Sequence, residues 1–235
     1  NFTKLNGIKA QELSFTNSDG NKLHGWYWSV PGAKKTVLFM HGNAGNIGHR
    51  LLLAKGIMDA GASLMLFDYR GFGKSEGQQG IPQIIADSNC AFDYLTKTLK
   101  VDPANIILYG ESIGGPIACE VARKRPGGGM ILDSTFSSLV GLAKVKIPYY
   151  NLYPDFLQPA PSLNTRQYLA QANSPLLIIH GSKDEIIPPS EAEKNFAGAR
   201  EPKKLVLLPG STHNCKEPDW SRYCQSMKEF FSSLP

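Results

Sequence analysis

The sequence predicts an α/β protein built on a mostly parallel central sheet with helices on both faces. Three observations carry this. From residue 36 onward, short apolar runs alternate with amphipathic helical stretches. The runs are apolar on both sides, as strands covered on both faces must be. The 235 residues are 42% hydrophobic and 19% charged, enough apolar material for a sizeable core and too little charge for a disordered chain. A single domain over residues 1–235 is the expected organisation.

Residues 12–16 and 22–28 read as strands, and Asn17, Ser18, Asp19, Gly20 and Asn21 between them tolerate left-handed backbone and suit a hairpin. The run 36–40 is a central strand that ends in a glycine-rich loop, 41–46. A helix over 51–60 stops at Gly61, 64–67 is a buried strand, and a long helix over 81–99 carries Pro82 in its first turn. Strand 106–109 leads into a helix beginning near Ser112, followed by strand 130–132. Strand 176–180, helix 190–199, strand 203–208 and a last helix over 219–231 make about eight strands in all. Between 134 and 174 the alternation lapses in a segment rich in proline and aromatics, read as a short cap-like insertion rather than a second domain.

The net charge is +5, from 25 basic and 20 acidic residues, but the basic residues are scattered. No basic run interleaved with aromatics marks a nucleic-acid partner, and the excess suits an anionic membrane surface equally well, so peripheral membrane contact stays open. No apolar run is long enough to cross a bilayer, and the segment is expected to be soluble. It begins at Asn1 rather than Met, which leaves an upstream leader, anchor or tag open, and with it the compartment. Cys90, Cys119, Cys215 and Cys224 form no CxxC pair, which disfavours zinc or dithiol chemistry. Cys90 and Cys119 fall on helices as buried thiols, and Cys215 and Cys224 are near enough in sequence to bridge in an oxidising compartment. No metal-hydrolase motif appears and no phosphate-binding glycine motif follows a strand, so metal hydrolysis and nucleotide use have little support. Oligomeric state is not legible.

Gly-x-Ser-x-Gly occurs twice, around Ser75 and around Ser112. The motif acts as a nucleophile elbow only on a sharp strand-to-helix turn, which lifts the hydroxyl above the sheet. Ser112 has a strand before it and a helix after it, whereas Ser75 has loop on both sides. A serine hydroxyl needs a base, and the base an orienting carboxylate. Asp184 and His213 follow consecutive late strands, at the sheet end where open α/β folds place ligands. Glu185 competes imperfectly with Asp184. His24 lies in a hairpin strand, His49 on an exposed helix start, His180 at the end of a buried strand, and His41 is suited to tying its own loop together. The order Ser112, Asp184, His213 is the order of hydrolase-type triads. Two backbone N–H donors are required for the developing oxyanion. Ile113 supplies one and the loop after the third strand the other, with Asn43 preferred and Ala44 the alternative.

Four landmarks occur in order at element boundaries: His41-Gly42-Asn43-Ala44-Gly45-Asn46; Phe67-Asp68-Tyr69-Arg70-Gly71-Phe72-Gly73-Lys74-Ser75; Gly110-Glu111-Ser112-Ile113-Gly114-Gly115; and the loops carrying Asp184 and His213. On these, nearly the whole chain resembles an α/β-hydrolase-fold serine hydrolase, and the first two are similar to the bud-emergence-type hydrolases and their protein-depalmitoylating relatives. The resemblance implies hydrolysis of carboxylic esters or thioesters, including fatty-acyl ones, through an acyl-serine intermediate and without a metal or organic cofactor. It implies scaffold roles for Asp68 and Arg70, the latter gripping a carboxylate with both arms of its guanidinium. Members of that group often carry an N-terminal membrane anchor, which this segment lacks. Leu142, Ile147, Tyr149, Tyr150, Tyr153, Phe156 and Leu157 of the cap-like segment either line an acyl pocket or anchor the cap. A serine peptidase of the same fold and a noncatalytic binding module on a hydrolase scaffold are the competing readings.

Overall fold

The computed structural model describes residues 3–147, 149–150 and 162–235. Strands β1 (Lys4–Leu5) and β2 (Ile8–Lys9) form a small antiparallel pair. It is held to the body where the indole N–H of the fully buried Trp28 donates to the Thr3 carbonyl at 3.0 Å. Residues this short carry no periodicity, and the sequence reading did not include them.

The main sheet has eight strands: β3 (Gln11–Thr16), β4 (Lys22–Trp28), β5 (Thr36–Met40), β6 (Ser63–Phe67), β7 (Ile106–Glu111), β8 (Gly129–Asp133), β9 (Leu176–Gly181) and β10 (Lys203–Leu208). Their spatial order is β10-β9-β8-β7-β5-β6-β4-β3. The β3–β4 hairpin joins the edge antiparallel, and β5 through β10 run parallel. This is the α/β-hydrolase arrangement the sequence implies, with helices α1 (Leu51–Asp59), α2 (Ile81–Lys97), α3 (Gly114–Lys124), α6 (Ser190–Gly198) and α7 (Trp220–Ser233) at the expected places. The segment after β8 contributes α4 (Leu139–Lys146) and α5 (Thr165–Leu169).

The strand period explains why the central runs are apolar throughout. Val37, Phe39, Ile107 and Tyr109 point to one face and pack with α1 and α7, while Leu38, Met40, Ile106 and Leu108 point to the other and pack with α2, α3, α5 and α6. The order of the strands reverses between β5 and β7, so the carboxyl ends of these two neighbours open a crevice outside the sheet. β7 ends in that crevice, and α3 starts there.

The start of α3 lies directly on the backbone of β5. A Cβ added to Gly114 would come within 2.0 Å of the Met40 carbonyl oxygen, a contact no rotamer can relieve. Gly114→Ala is therefore expected to lower the unfolding free energy by about 3 kcal/mol or more. Gly20→Ala, in the hairpin turn at φ +85 with open space around it, should cost about 1 kcal/mol. Urea unfolding of the two variants checks this, and equal losses would contradict it.

Candidate active site

Ser112 closes β7 in the left-handed region at φ +55, which for a residue with a side chain is a strained conformation. Three bonds hold it there. Its N–H donates to the Asp133 carbonyl at 2.9 Å, its own carbonyl accepts the Gly115 N–H at 3.0 Å, and the same carbonyl accepts the Thr135 hydroxyl at 2.6 Å. A Cβ on Gly110 would meet the Gly114 carbonyl at 2.4 Å, so the turn closes only with glycine before the serine. Ser112 and Ile113 stay partly exposed while Gly114 to Cys119 are buried, which leaves the hydroxyl and the next amide at the mouth of the crevice.

Asp184 and His213 meet. Asp184 Oδ2 lies 2.7 Å from His213 Nδ1 and 3.3 Å from His180 Nε2, while Oδ1 accepts the N–H groups of Ile186 and Ile187 at 2.9 and 2.8 Å. The Asp184 side chain has no exposed surface. Burial acts to raise its pKa. The hydrogen bonds from His180, His213 and Ile187 outweigh it and hold the carboxyl well below the usual carboxylate range. His180, read from the sequence only as the end of a buried strand, is thus a second partner of this carboxylate, and its Nε2 also lies 2.9 Å from the Ile187 carbonyl. Its signal was the i, i+4 spacing to Asp184 across the strand end.

The His213 loop is moored to the end of β8. Lys216, three residues on and only 3% exposed, donates to the Ser134 hydroxyl at 2.7 Å and lies 3.2 Å from Asp133 Oδ1. Its ammonium also reaches the carbonyls of Thr212 and His213 at 3.4 Å. The other oxygen of Asp133 accepts the hydroxyls of Tyr109 at 2.5 Å and Tyr223 at 3.3 Å. A charge buried this deeply is tolerable only when paired and fully bonded, and the pairing fixes the His213 loop to the end of β8, beside Ser112. Ser112 and His213 themselves share no hydrogen bond in this arrangement.

The 41–46 loop is built on a brace that the sequence reading missed. Glu111, the residue inside the Gly-x-Ser-x-Gly motif, accepts the Gly42 N–H at 3.1 Å and the Arg50 Nε–H at 2.6 Å, and Arg50 Nη2 donates to the Ala44 carbonyl at 2.8 Å. His41 folds back on its own loop through Nδ1 and the Gly42 carbonyl at 2.7 Å, and its ring packs at a tilt against Tyr69. Burial lowers its pKa, partly offset by that carbonyl. With the Gly42 amide taken by Glu111, the amides of Asn43, Ala44 and Ile113 find no protein acceptor among the described residues.

Ser75 sits in a different environment. Its hydroxyl donates to the Asp68 carbonyl at 2.6 Å and accepts the His24 N–H at 2.9 Å, so it stitches the loop after β6 to the hairpin. Arg70 grips Asp87 through Nε and Nη2 at 2.7–3.1 Å and also contacts Asp19, while Asp68 Oδ1 accepts the Ile47 N–H at 3.0 Å. Cys215 and Cys224 are both free thiols, so the bridge the spacing permitted does not form here. Of the cap residues, Leu142 packs on Phe136, Leu163 and Ile187, Ile147 and Tyr149 are exposed, and Tyr150 is partly buried. Tyr153, Phe156 and Leu157 lie outside the described residues. An apolar hollow beside Ser112 is formed by Tyr69, Phe72, Ile81, Ile84 and Ile113 with the Gly42–Asn43 backbone, and measures about 210 Å³.

Two outcomes follow. Glu111 and Arg50 are nine-tenths buried, so Glu111→Ala should cost about 3 kcal/mol in urea unfolding, and adding Arg50→Met should cost little more because the pair acts as one unit. Fully additive losses would contradict the brace. For Asp184 the folded pKa is depressed, so its contribution to stability is present above the unfolded value of about 3.9 and is lost as pH falls through the folded one. The stability gap between the native chain and Asp184→Asn, followed by urea unfolding, should therefore be full at pH 6 and shrink progressively below about pH 4. A gap that does not change with pH would contradict it.

The family described as "Serine aminopeptidase, S33" matches residues 31–152. An uncharacterized protein of Mycobacterium tuberculosis is 37% identical over 210 residues, covering 88% of this chain and 74% of that protein. Protein bem46 of Schizosaccharomyces pombe is 31% identical over 189 residues, 78% of this chain and 63% of that one. Among solved structures, an esterase of Pyrococcus furiosus superposes with a TM-score of 0.77 at 20% identity, covering 97% of this chain and 91% of the esterase, which speaks to the fold. On the family match and the extent of these identities, the chain belongs to the serine aminopeptidase (S33) family of α/β hydrolases, in the company of the bud-emergence-type proteins.

Proposed function

We propose that the protein is a serine hydrolase that cleaves carboxylic esters or thioesters through an acyl-Ser112 intermediate. The observation that carries the reading is the strained Ser112 turn at the N-terminus of α3, with the Asp184–His213 pair moored beside it. In this reading His213 takes the proton from Ser112 Oγ as the oxygen attacks the acyl carbon. Asp184 holds the ring by Nδ1 and stabilises the imidazolium. The carbonyl oxygen becomes an oxyanion facing the amides of Ile113 and Asn43, with Ala44 the alternative donor, and the positive end of α3 favours the charge. The Oγ–carbon bond forms, the carbon–oxygen or carbon–sulfur bond of the substrate breaks, and His213 returns its proton to the departing alcohol or thiol. Water then repeats the sequence to release the acid. The serine–histidine hydrogen bond this requires tightens when substrate is bound.

The family description raises amide cleavage as a second reading. An aminopeptidase must pair the substrate's α-ammonium with an acceptor as it is desolvated. The hollow beside Ser112 is lined by Gly42, Asn43, Tyr69, Phe72, Gln79, Gly80, Ile81, Ile84 and Ile113, none of which is a carboxylate. That lining favours an acyl chain.

The test is hydrolysis of short p-nitrophenyl esters and of an acyl thioester. Ser112→Ala should lower kcat/KM by roughly 10⁴-fold or more, since residues that act as a unit fail together. Ser75→Ala, which removes only a loop stitch, should stay within about threefold of the native rate. Equal losses in the two variants would overturn the assignment, and turnover of an aminoacyl amide with none of esters would move the peptidase reading to the front.

A further inference from the structure

We propose that the hollow between the 41–46 loop, the loop after β6 and the first turn of α2 is the acyl subsite, and that it selects acyl groups of roughly four to eight carbons. The inference rests on the acyl-serine reading above and adds to it which end of the substrate goes where and how long that end can be.

Position gives the orientation. Ser112 stands at the end of β7. Asp184 and His213 follow β9 and β10, on one side of it in the strand order, whereas Gly42, Tyr69 and Phe72 follow β5 and β6, on the other side. The group that leaves must face the histidine that protonates it. Of the two remaining substituents, the oxyanion turns to the amides of Ile113 and the 41–46 loop, and the acyl chain extends past them, away from His213 and toward the loops after β5 and β6. The hollow is there, and it adjoins the nucleophile: a Cβ built on Gly42 would stand 3.3 Å from Ser112 Cβ, and Ile113 follows the serine directly. A larger hollow of about 370 Å³ lies at the far end of the sheet, by Pro175, Pro202 and Phe230, away from Ser112.

Chemistry gives the class of ligand. Tyr69, Phe72, Ile81, Ile84 and Ile113 present rings and methyl groups, and the Tyr69 hydroxyl is spent on the His41 carbonyl at 3.1 Å. Only Gln79, exposed at the rim, brings a polar side chain beyond the Asn43 loop. Size sets the limit. A dry cavity of about 150 Å³ holds a six-carbon ring, so 210 Å³ accepts roughly eight carbons at most and excludes a fully inserted long fatty-acyl chain.

The experiment varies each end of the ester separately. With a fixed alcohol, kcat/KM should rise about fourfold per added acyl methylene as each is buried, up to six to eight carbons, and fall beyond that. Ile81→Trp should lower the octanoyl-to-acetyl ratio of kcat/KM by tenfold or more and move the optimum two or more carbons shorter, and Ile81→Ala should move it longer. Gln79→Trp, at the exposed rim, gives a second occluding variant should Ile81→Trp not fold. With a fixed acetyl group, lengthening the alcohol should give parallel profiles in all variants. An acyl profile that the three variants leave unmoved, in protein whose short-ester turnover Ser112→Ala abolishes, would overturn the subsite alone. Variants that reshape the alcohol profile instead would overturn the orientation. Loss of the Ser112 dependence itself would strike the underlying reading, and with it this one.

Discussion

The contact between the first turn of α3 and the backbone of β5 is the constraint on which the site depends. Because residue 114 has no side chain, α3 can start against the Met40 carbonyl, and the tight turn that connects β7 to it passes through the left-handed region. Ser112 occupies that turn. The same approach brings the 41–46 loop within reach of Glu111, so one packing contact sets both the position of Ser112 and the loop that faces it. Thr135 and the Asp133 carbonyl, from the next strand over, supply the bonds that keep the turn from relaxing.

Buried charge does the rest of the positioning. Glu111 with Arg50, Asp133 with Lys216, and Asp184 with His213 each tie a loop at the carboxyl edge of the sheet to another strand or loop of that edge. Such pairs add little net stability compared with apolar packing, but breaking one leaves an uncompensated charge in a dry setting. They therefore act as registration devices: the loops that carry the amides, the histidine and the serine cannot shift without exposing or orphaning a charge. Arg70 with Asp87 performs the same service for the loop after β6, which forms one wall of the apolar hollow.

The framework was legible because its signals are local. Runs such as Val37 to Met40 and Leu176 to Ile179 declare buried strands by composition, and the glycines at 110 and 114 mark the elbow because a turn that tight admits little else. Asp184 and His213 were legible as a pair by their places after consecutive strands, and their contact agrees with that placement. Glu111, Arg50 and Lys216 were not, since each acts on a partner remote in sequence, and nothing in one chain's pattern distinguishes a buried bridging cation from a solvated one. The hollow beside Ser112 was not legible, because Tyr69, Phe72, Ile81 and Ile84 lie apart in sequence on the loop after β6 and the first turn of α2 and converge only in the fold.

The central claim is that Ser112 is an activated nucleophile, and covalent capture reads this without any assumption about substrate. Folded protein treated with a small fluorophosphonate, digested and mapped by mass spectrometry, should carry one adduct, on the peptide containing Ser112 and none on that containing Ser75. The labelling should slow by at least two orders of magnitude in His213→Ala, because the serine then has no base. An adduct on another residue, or no adduct on protein shown to be folded, would contradict the account.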